Sequence, residues 1–277
     1  MIRITSLVDN TAGRTHKGVW GEHGLSFLVE TPHGRVLFDT GSSGTVLAHN
    51  ASLLDVDFRT VDVLVFSHAH YDHTGGAGVV LDHRPDIPIY AHTTFLRERY
   101  ARRNGEYVDI GIPPHLRERI RAGRLYLHHK PVQVLPRVWT TGEIRQRLEP
   151  EGRSPHHVIR TNKGWQPDPY EDDMALVIEA DAGLILICGC CHAGLLNTLS
   201  CVRHTFGRPI TAVFGGTHLV SADKAYLEHV VEVFSQHCPD VEYYLNHCTG
   251  EKAYVALANA FGDRVHPCPV GTRVDIP

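Results

Sequence analysis

The sequence has no apolar run that approaches the roughly 18–20 residues of a membrane-spanning helix. Cysteine is absent from the first 187 residues, and the seven cysteines that follow are an odd number that does not suit a disulfide framework. Strong charge is also missing, since a formal net charge of −4 gives no reason to expect nucleic acid or an anionic membrane as a partner. The first residues resemble a strand and lack the layout of a signal peptide. We therefore expect a protein of the reducing cytoplasm.

The order of strand-like and helix-like segments predicts an α/β fold. Residues 25–30 and 35–39 are expected to form antiparallel strands, because only a short turn containing proline and glycine separates them. Residues 44–54 are predicted as a helix and residues 61–66 as a buried strand. This alternation favours layers of helices and sheets over a pure β sandwich. Length alone does not decide between one domain and two.

Two segments interrupt the alternation. Residues 95–103 form a basic, helix-prone run, and charged residues continue towards residue 130. The simplest interpretation is a solvated insertion, and the functional alternative is an arginine-rich lid that binds an anionic substrate. Residues 149–173 are polar, contain four prolines and are predicted as a long loop. His156 and His157 lie in that loop without a recognisable ligand spacing.

The chemistry is concentrated directly after the buried strand, in the segment His68-Ala69-His70-Tyr71-Asp72-His73. In an extended chain alternate side chains point the same way, so His68 and His70 can bind the same metal ion. Asp72 and His73 follow where the chain turns, and they suit a neighbouring position. Neutral imidazole and carboxylate are typical zinc ligands, and imidazole also binds iron. The segment therefore predicts a site for two neighbouring metal ions.

Three later strands are also followed by turns that carry histidine. These turns contain His192, His218 and His247. Because strand ends on the same edge of a sheet converge in space, we expect these histidines to lie near His68 and His70.

The same segments resemble a known family. The spacing His-x-His-x-Asp-His is similar to the signature of the metallo-β-lactamase superfamily. Other segments resemble the subfamily of metal-dependent hydrolases that includes the archaeal dihydropterin synthase of methanopterin biosynthesis. Together the matches run from about residue 5 to about residue 250. The additional segments begin at Glu22, Leu37, Thr141, Gly189, Gly215 and His247.

The resemblance implies one domain over residues 1–277, an αββα sandwich of two mixed β-sheets with outer helices. The metal site is expected at one edge of the sandwich. The excursions near residues 95–130 and 149–173 are expected to border the active-site cleft.

The resemblance also implies two divalent ions, zinc with iron or manganese as alternatives. The first ion is assigned to His68, His70 and His192. The second is assigned to Asp72, His73 and His247. Asp72 is given a catalytic role in managing the proton of the nucleophile. His218 is assigned as catalytic, with metal binding and substrate binding left open.

Two further residues are expected beside the ions without a settled role. Asp39 ends a strand, where it can stabilise the turn or, as the resemblance favours, orient a metal-binding histidine. Cys190 stands where much of the superfamily has a bridging aspartate. Its thiolate can supply softer ligation, the bridge can be missing, or the residue can simply fill a tight turn.

These assignments favour a hydrolase that uses a metal-bound hydroxide on an ester, phosphoester or lactone. One alternative is a pterin-related transferase, in which the metals stabilise a phosphorylated leaving group. Another is a diiron redox protein. The expected partner is a small-molecule substrate, anionic or phosphorylated. The sequence specifies neither the identity of this substrate nor the oligomeric state of the protein.

Overall fold

A computed structural model describes residues 1–277. The α-helices are α1 (Gly44–Leu53), α2 (Tyr71–Thr74), α3 (Ala77–His83), α4 (Pro114–Ala122), α5 (Leu195–Phe206), α6 (Lys224–His237) and α7 (Glu251–Phe261). The strands are β1 (Ile2–Val8), β2 (Ser26–Thr31), β3 (Gly34–Phe38), β4 (Val63–Val65), β5 (Pro88–His92), β6 (Tyr100–Arg103), β7 (Glu106–Asp109), β8 (Arg124–His128), β9 (Val132–Leu135), β10 (Val138–Thr140), β11 (His157–Thr161), β12 (Gly164–Pro167), β13 (Leu176–Glu179), β14 (Leu184–Cys188), β15 (Ile210–Gly215), β16 (Glu242–Leu245), β17 (Val265–Pro267) and β18 (Arg273–Ile276). No helix is long and apolar enough to cross a membrane.

The strands form two large sheets and one small one. The first sheet has the order β18-β1-β2-β3-β4-β5-β8 and changes from antiparallel to parallel pairing at β3. The second has the order β17-β16-β15-β14-β13-β10-β9 and changes at β14. The small sheet, β12-β11-β6-β7, is entirely antiparallel.

Buried apolar side chains separate the two large sheets and their helices into layers. Val36 and Phe38 of β3 pack between the sheets, whereas Leu37 packs on the opposite face, because alternate strand residues point in opposite directions. Phe27 meets Phe214 of the other sheet edge to face, with ring centroids 6.3 Å apart. Helices α1, α3 and α4 cover the first sheet, and α5, α6 and α7 cover the second. The predicted αββα sandwich is confirmed, and the assignment of residues 1–277 to a single domain stays a prediction.

The helix predicted for residues 95–103 is wrong. This segment is a turn followed by β6, which pairs with β7. Asn104 and Gly105 connect the two strands with φ angles of 50° and 86°. An Asn-Gly pair favours this type of hairpin turn, and its local chemistry outweighs the weak helix preference of the arginines.

The continuous loop predicted for residues 149–173 is also wrong in its middle. Strands β11 and β12 form a hairpin, with Gly164 at a φ of 90° next to the turn. Strand β11 also pairs with β6, so the two excursions share the small sheet. Pro167 ends β12, an edge strand, where a missing N–H is tolerated.

The parallel halves of the two large sheets determine where the polar turns lie. Asp39 directly follows β3, and the His68 segment follows β4. In the other sheet, His192, His218 and His247 follow β14, β15 and β16. Parallel strands deliver their carboxyl ends to the same edge, so each sheet presents its polar turns together.

Candidate metal centre

Three buried histidines bring their ring nitrogens together at this edge. The donor atoms of His68, His70 and His192 all lie within 4.8 Å of one another. His68 Nε2 is 3.1 Å from His70 Nδ1. Two nitrogens bound tetrahedrally to one zinc ion at about 2.0–2.1 Å would be about 3.3 Å apart. The observed spacing therefore suits two ligands of one ion.

The state of these imidazoles also fits a metal. The buried Nε2 atom of His192 has no hydrogen-bond partner in the protein. Leaving such an atom unpaired is costly unless another group meets it. Burial lowers the pKa of His68, His70 and His192 well below the usual histidine value, so the rings are neutral and keep a free lone pair.

Asp72 is the centre of a second group of donors. Its Oδ2 atom lies 3.2 Å from His23 Nε2, 3.5 Å from His247 Nε2 and 3.6 Å from His73 Nε2. Burial opposes ionisation of Asp72, but the neighbouring imidazoles outweigh it and hold the pKa well below the usual range. The carboxylate is therefore ionised. The residues predicted for the second ion lie together, and His23 joins them.

Cys190 lies between the two groups. Its Sγ atom is 3.2 Å from His73 Nε2 and belongs to donor groups with His68 on one side and with His247 on the other. The preceding residue must be glycine for this approach, since a Cβ atom at Gly189 would lie 2.3 Å from Ser67 Oγ. Cys190 thus occupies the position where the resemblance places a bridging aspartate.

Asp39 anchors the donor residues from behind. Its Oδ2 atom lies 2.7 Å from His73 Nδ1 and accepts a 2.6 Å hydrogen bond from Ser67 Oγ. Ser67 Oγ in turn lies 2.9 Å from His68 Nδ1. Both contacts engage the ring nitrogen that faces away from the donor cluster. A carboxylate in this place fixes the tautomer and orientation of a metal-binding imidazole.

His247 is fixed by the loop after β1. Its backbone N–H donates a 2.7 Å hydrogen bond to Asp9 Oδ1. Its Nδ1 atom lies 2.9 Å from Asn10 Oδ1, which leaves Nε2 directed at Asp72. The first sheet therefore positions a donor that belongs to the second.

Comparison with known proteins assigns the family. The metallo-β-lactamase superfamily model matches residues 19–161, slightly more than half of the chain. The chain is also 30% identical over 264 residues to 7,8-dihydropterin-6-methyl-4-(β-D-ribofuranosyl)-aminobenzene-5′-phosphate synthase of Methanocaldococcus jannaschii, with 91% of this chain and 89% of that protein covered. The chain belongs to the metallo-β-lactamase superfamily.

Other relatives of this superfamily agree over the full length. An uncharacterised protein of Methanocaldococcus jannaschii is 31% identical, with 93% of this chain and 94% of that protein covered. The crystal structure of Tm1679, a metal-dependent hydrolase of the β-lactamase superfamily, matches with a TM-score of 0.85 at 27% identity, covering 100% of this chain and 99% of that one. The predicted family is confirmed, and these relationships identify the chain as an enzyme.

His218 lines a cleft beside the donor groups but belongs to none of them. Its ring centroid is 4.4 Å from that of His192, and none of the four donor groups includes it. It lines a cleft of about 780 Å³ together with residues 150–157 and Tyr226. The role of His218 stays a prediction.

The sequence prediction missed several residues of the site. His23 lies in the family-like segment that begins at Glu22, but the sequence pattern does not indicate it as a donor. His157 and Tyr170 come from the second excursion: Tyr170 stacks on His192 with centroids 4.1 Å apart, and its hydroxyl contacts His157 Nδ1. Burial lowers the pKa of His157 to about 4, so this ring is neutral. No spacing pattern could have found them, because only the hairpin β11–β12 brings them to the site.

Proposed function

We propose that this enzyme is a metal-dependent hydrolase that cleaves an ester, phosphoester or lactone-type bond in a small anionic molecule. The observation that carries the proposal is the pair of adjoining donor groups beside a cleft, with a buried nitrogen of His192 that no protein atom satisfies. The first ion is assigned to His68, His70 and His192. The second is assigned to Asp72, His73 and His247, with zinc as the metal at both positions.

Two such ions, when bound, supply an acidified water as nucleophile and polarise the bond to be cleaved. Around them, Asp72 approaches His23, His73 and His247 through Oδ2, and its Oδ1 atom is assigned to orient the nucleophile and accept its proton. His23 contacts the same carboxylate and has 59% of its side chain exposed, which links Asp72 to solvent. His218 lines the cleft and is assigned to donate a proton to the leaving group.

Unpaired arginines of the first excursion support an anionic substrate. Most arginines there are neutralised by carboxylates: Arg97 pairs with Glu171, for example, and Arg117 with Glu98. Arg103 forms no ion pair, and its charge reaches both Tyr71 and His157 at the site. This exposed guanidinium on strand β6, where the neighbouring Arg102 also lacks an ion pair, is available to attract an anion.

One observation favours a second candidate function. The identity to the archaeal synthase extends over 91% of the chain, so a pterin-related transferase is consistent with the same site. In that reaction the donor residues and Arg103 would face a phosphorylated leaving group instead of a hydrolysed bond.

The proposal is tested by metal analysis and a substrate screen on the full chain. We expect two zinc ions per chain and hydrolysis within a panel of nitrophenyl esters, phosphodiesters and lactones. Transfer from a dihydropterin pyrophosphate to an aminobenzene acceptor, without hydrolysis of the panel, would support the transferase. Stoichiometric iron without either activity would support a redox protein.

A matched pair of variants tests the site itself. His70→Ala should lose metal and turnover together, because it removes a buried donor. His204→Ala, which changes an exposed histidine on α5, should retain both. Full metal content and turnover in His70→Ala would contradict the proposal.

A further inference from the structure

A second cysteine reaches the metal centre. The Sγ atoms of Cys190 and Cys248 and a ring nitrogen of His247 all lie within 4.8 Å of one another. Cys190 Sγ is also 3.2 Å from His73 Nε2. Two sulfurs and two imidazoles from three different parts of the chain therefore converge at the second metal position.

The local backbone is arranged to admit the Cys248 sulfur. His247 has a φ of 51°, which turns the chain directly after β16. A Cβ atom at Gly216 would lie 2.6 Å from Cys248 Sγ, so glycine leaves the space that the sulfur occupies. The backbone N–H of His218 donates to the same sulfur over 3.3 Å. Such an N–H contact favours a thiolate, which is a good acceptor.

The other cysteines show what a structural cysteine looks like in this chain. Cys188, Cys191 and Cys238 pack in the apolar core beneath α5, α6 and α7, and Cys268 packs between the sheets. Cys190 is equally buried, with 3% of its surface exposed, but it belongs to none of the three apolar clusters. Its neighbours are ligand-type donors instead, so space-filling does not account for it.

We propose that Cys190 and Cys248 are thiolate ligands, which makes the second metal position a mixed oxygen, nitrogen and sulfur site with Asp72, His73 and His247. Each thiol gives up its proton to solvent when the metal binds. Thiolates favour zinc, whereas manganese and magnesium prefer oxygen donors, so this position should select zinc. The inference rests on the proposed two-metal function and adds to it the sulfur donors and the metal preference.

X-ray absorption spectroscopy of the zinc-loaded full chain tests the ligand set directly. We expect a sulfur shell at about 2.3 Å besides nitrogen at about 2.0–2.1 Å. Cys248→Ser and Cys190→Ser should each remove about half of the sulfur amplitude, because each cysteine supplies one of the two sulfur ligands. Each should also lower the affinity for the second zinc ion by at least about tenfold. Loss of a residue that only supports a ligand typically costs about 10–100-fold, and loss of a ligand itself should cost no less.

Cys201→Ser is the matched control, since Cys201 lies on α5, belongs to none of the donor groups and has its sulfur 3.9 Å from Thr205 Oγ1. It should leave the sulfur shell and both zinc affinities unchanged. Retention of the first zinc ion in the two test variants shows that they have folded.

The outcomes separate this inference from the proposed function. Two zinc ions with only nitrogen and oxygen neighbours and normal turnover would overturn the thiolate ligands and leave the hydrolase proposal intact. An undiminished sulfur shell in both Cys190→Ser and Cys248→Ser would likewise overturn the inference. Absence of bound metal from the unsubstituted chain would overturn both.

Discussion

Removal of the Arg99 guanidinium should destabilise the protein far more than loss of an ordinary ion pair. Arg99 has 1% of its side chain exposed and pairs with Asp168 and Asp172, which are equally buried. Its Nη2 atom lies 2.6 Å from Asp172 Oδ1, an ion-pair contact without hydrogen-bond geometry. Burial favours the neutral form of Arg99, but the two carboxylates outweigh it and raise the pKa.

The expected magnitude follows from what remains after Arg99→Met. Two buried carboxylates would lose their only cation, and breaking a buried pair in this way costs about 3–5 kcal/mol. For a chain of this size that corresponds to a fall in melting temperature of roughly 5–9 °C. Urea denaturation, followed by circular dichroism on zinc-free protein, gives the free energy of unfolding.

The matched control is Arg119→Met. Arg119 pairs with Asp82 over 2.7 Å, but their side chains are 42% and 64% exposed. Such a surface pair contributes about 0–1 kcal/mol. If Arg99→Met lost no more free energy of unfolding than this control, the argument from burial would be refuted.

The same variant should also weaken the metal centre. Asp172 Oδ2 accepts a 2.9 Å hydrogen bond from the backbone N–H of Ala69, which lies between His68 and His70. Arg99 therefore positions the Asp172 carboxylate, which in turn anchors the backbone between His68 and His70. We expect lower zinc affinity in Arg99→Met and unchanged affinity in Arg119→Met, measured by competition with a chelator.

Three further predictions concern other parts of the molecule. Asp39→Asn should weaken zinc binding by about 10–100-fold, measured by chelator competition, because the amide orients His73 less strongly. Burial lowers the pKa of His92 to about 4, so the unfolded chain binds more protons between about pH 6.5 and 4 and stability falls as the pH falls. Replacement by asparagine should remove about 1–2 kcal/mol of the loss seen by urea denaturation between pH 6.5 and 5, and an unchanged pH dependence would contradict this. Gly105→Ala should cost about 1–2 kcal/mol of unfolding free energy, because φ is 86° and no neighbour would meet the added methyl group.

The sequence was most informative where one local pattern determines several donors. His68, His70, Asp72 and His73 follow a single strand, and alternation of side chains is enough to group them. His192 and His247 could be added because each lies in a turn that follows a predicted strand. These donors could be grouped because each lies where a predicted strand ends, and that position is visible in the sequence.

The excursions could not be predicted because opposing local signals had to be weighed. The arginines of residues 95–103 favour a helix, whereas Asn104-Gly105 favours a hairpin, and pairing of β6 with β11 decides the outcome. That pairing joins segments more than fifty residues apart, as Tyr100 and Val158 show. His157 reaches the metal centre only through this long-range contact, so no local pattern announces it.

Backbone strain explains why the turns at the centre resist prediction and why they matter. Eight non-glycine residues have positive φ, and five of them lie at the site. Side chains with a Cβ atom enter this region only at a cost, and surrounding contacts must hold them there. At Asp39 those contacts are the hydrogen bonds to Ser67, and at His247 they are the bonds to Asp9 and Asn10. Propensity would place glycine or asparagine at such positions, so the donor His247 and the carboxylate of Asp39, which orients His73, indicate that site geometry rather than turn stability governs these two residues. The five residues are Asp39, Tyr170, Cys191, His218 and His247.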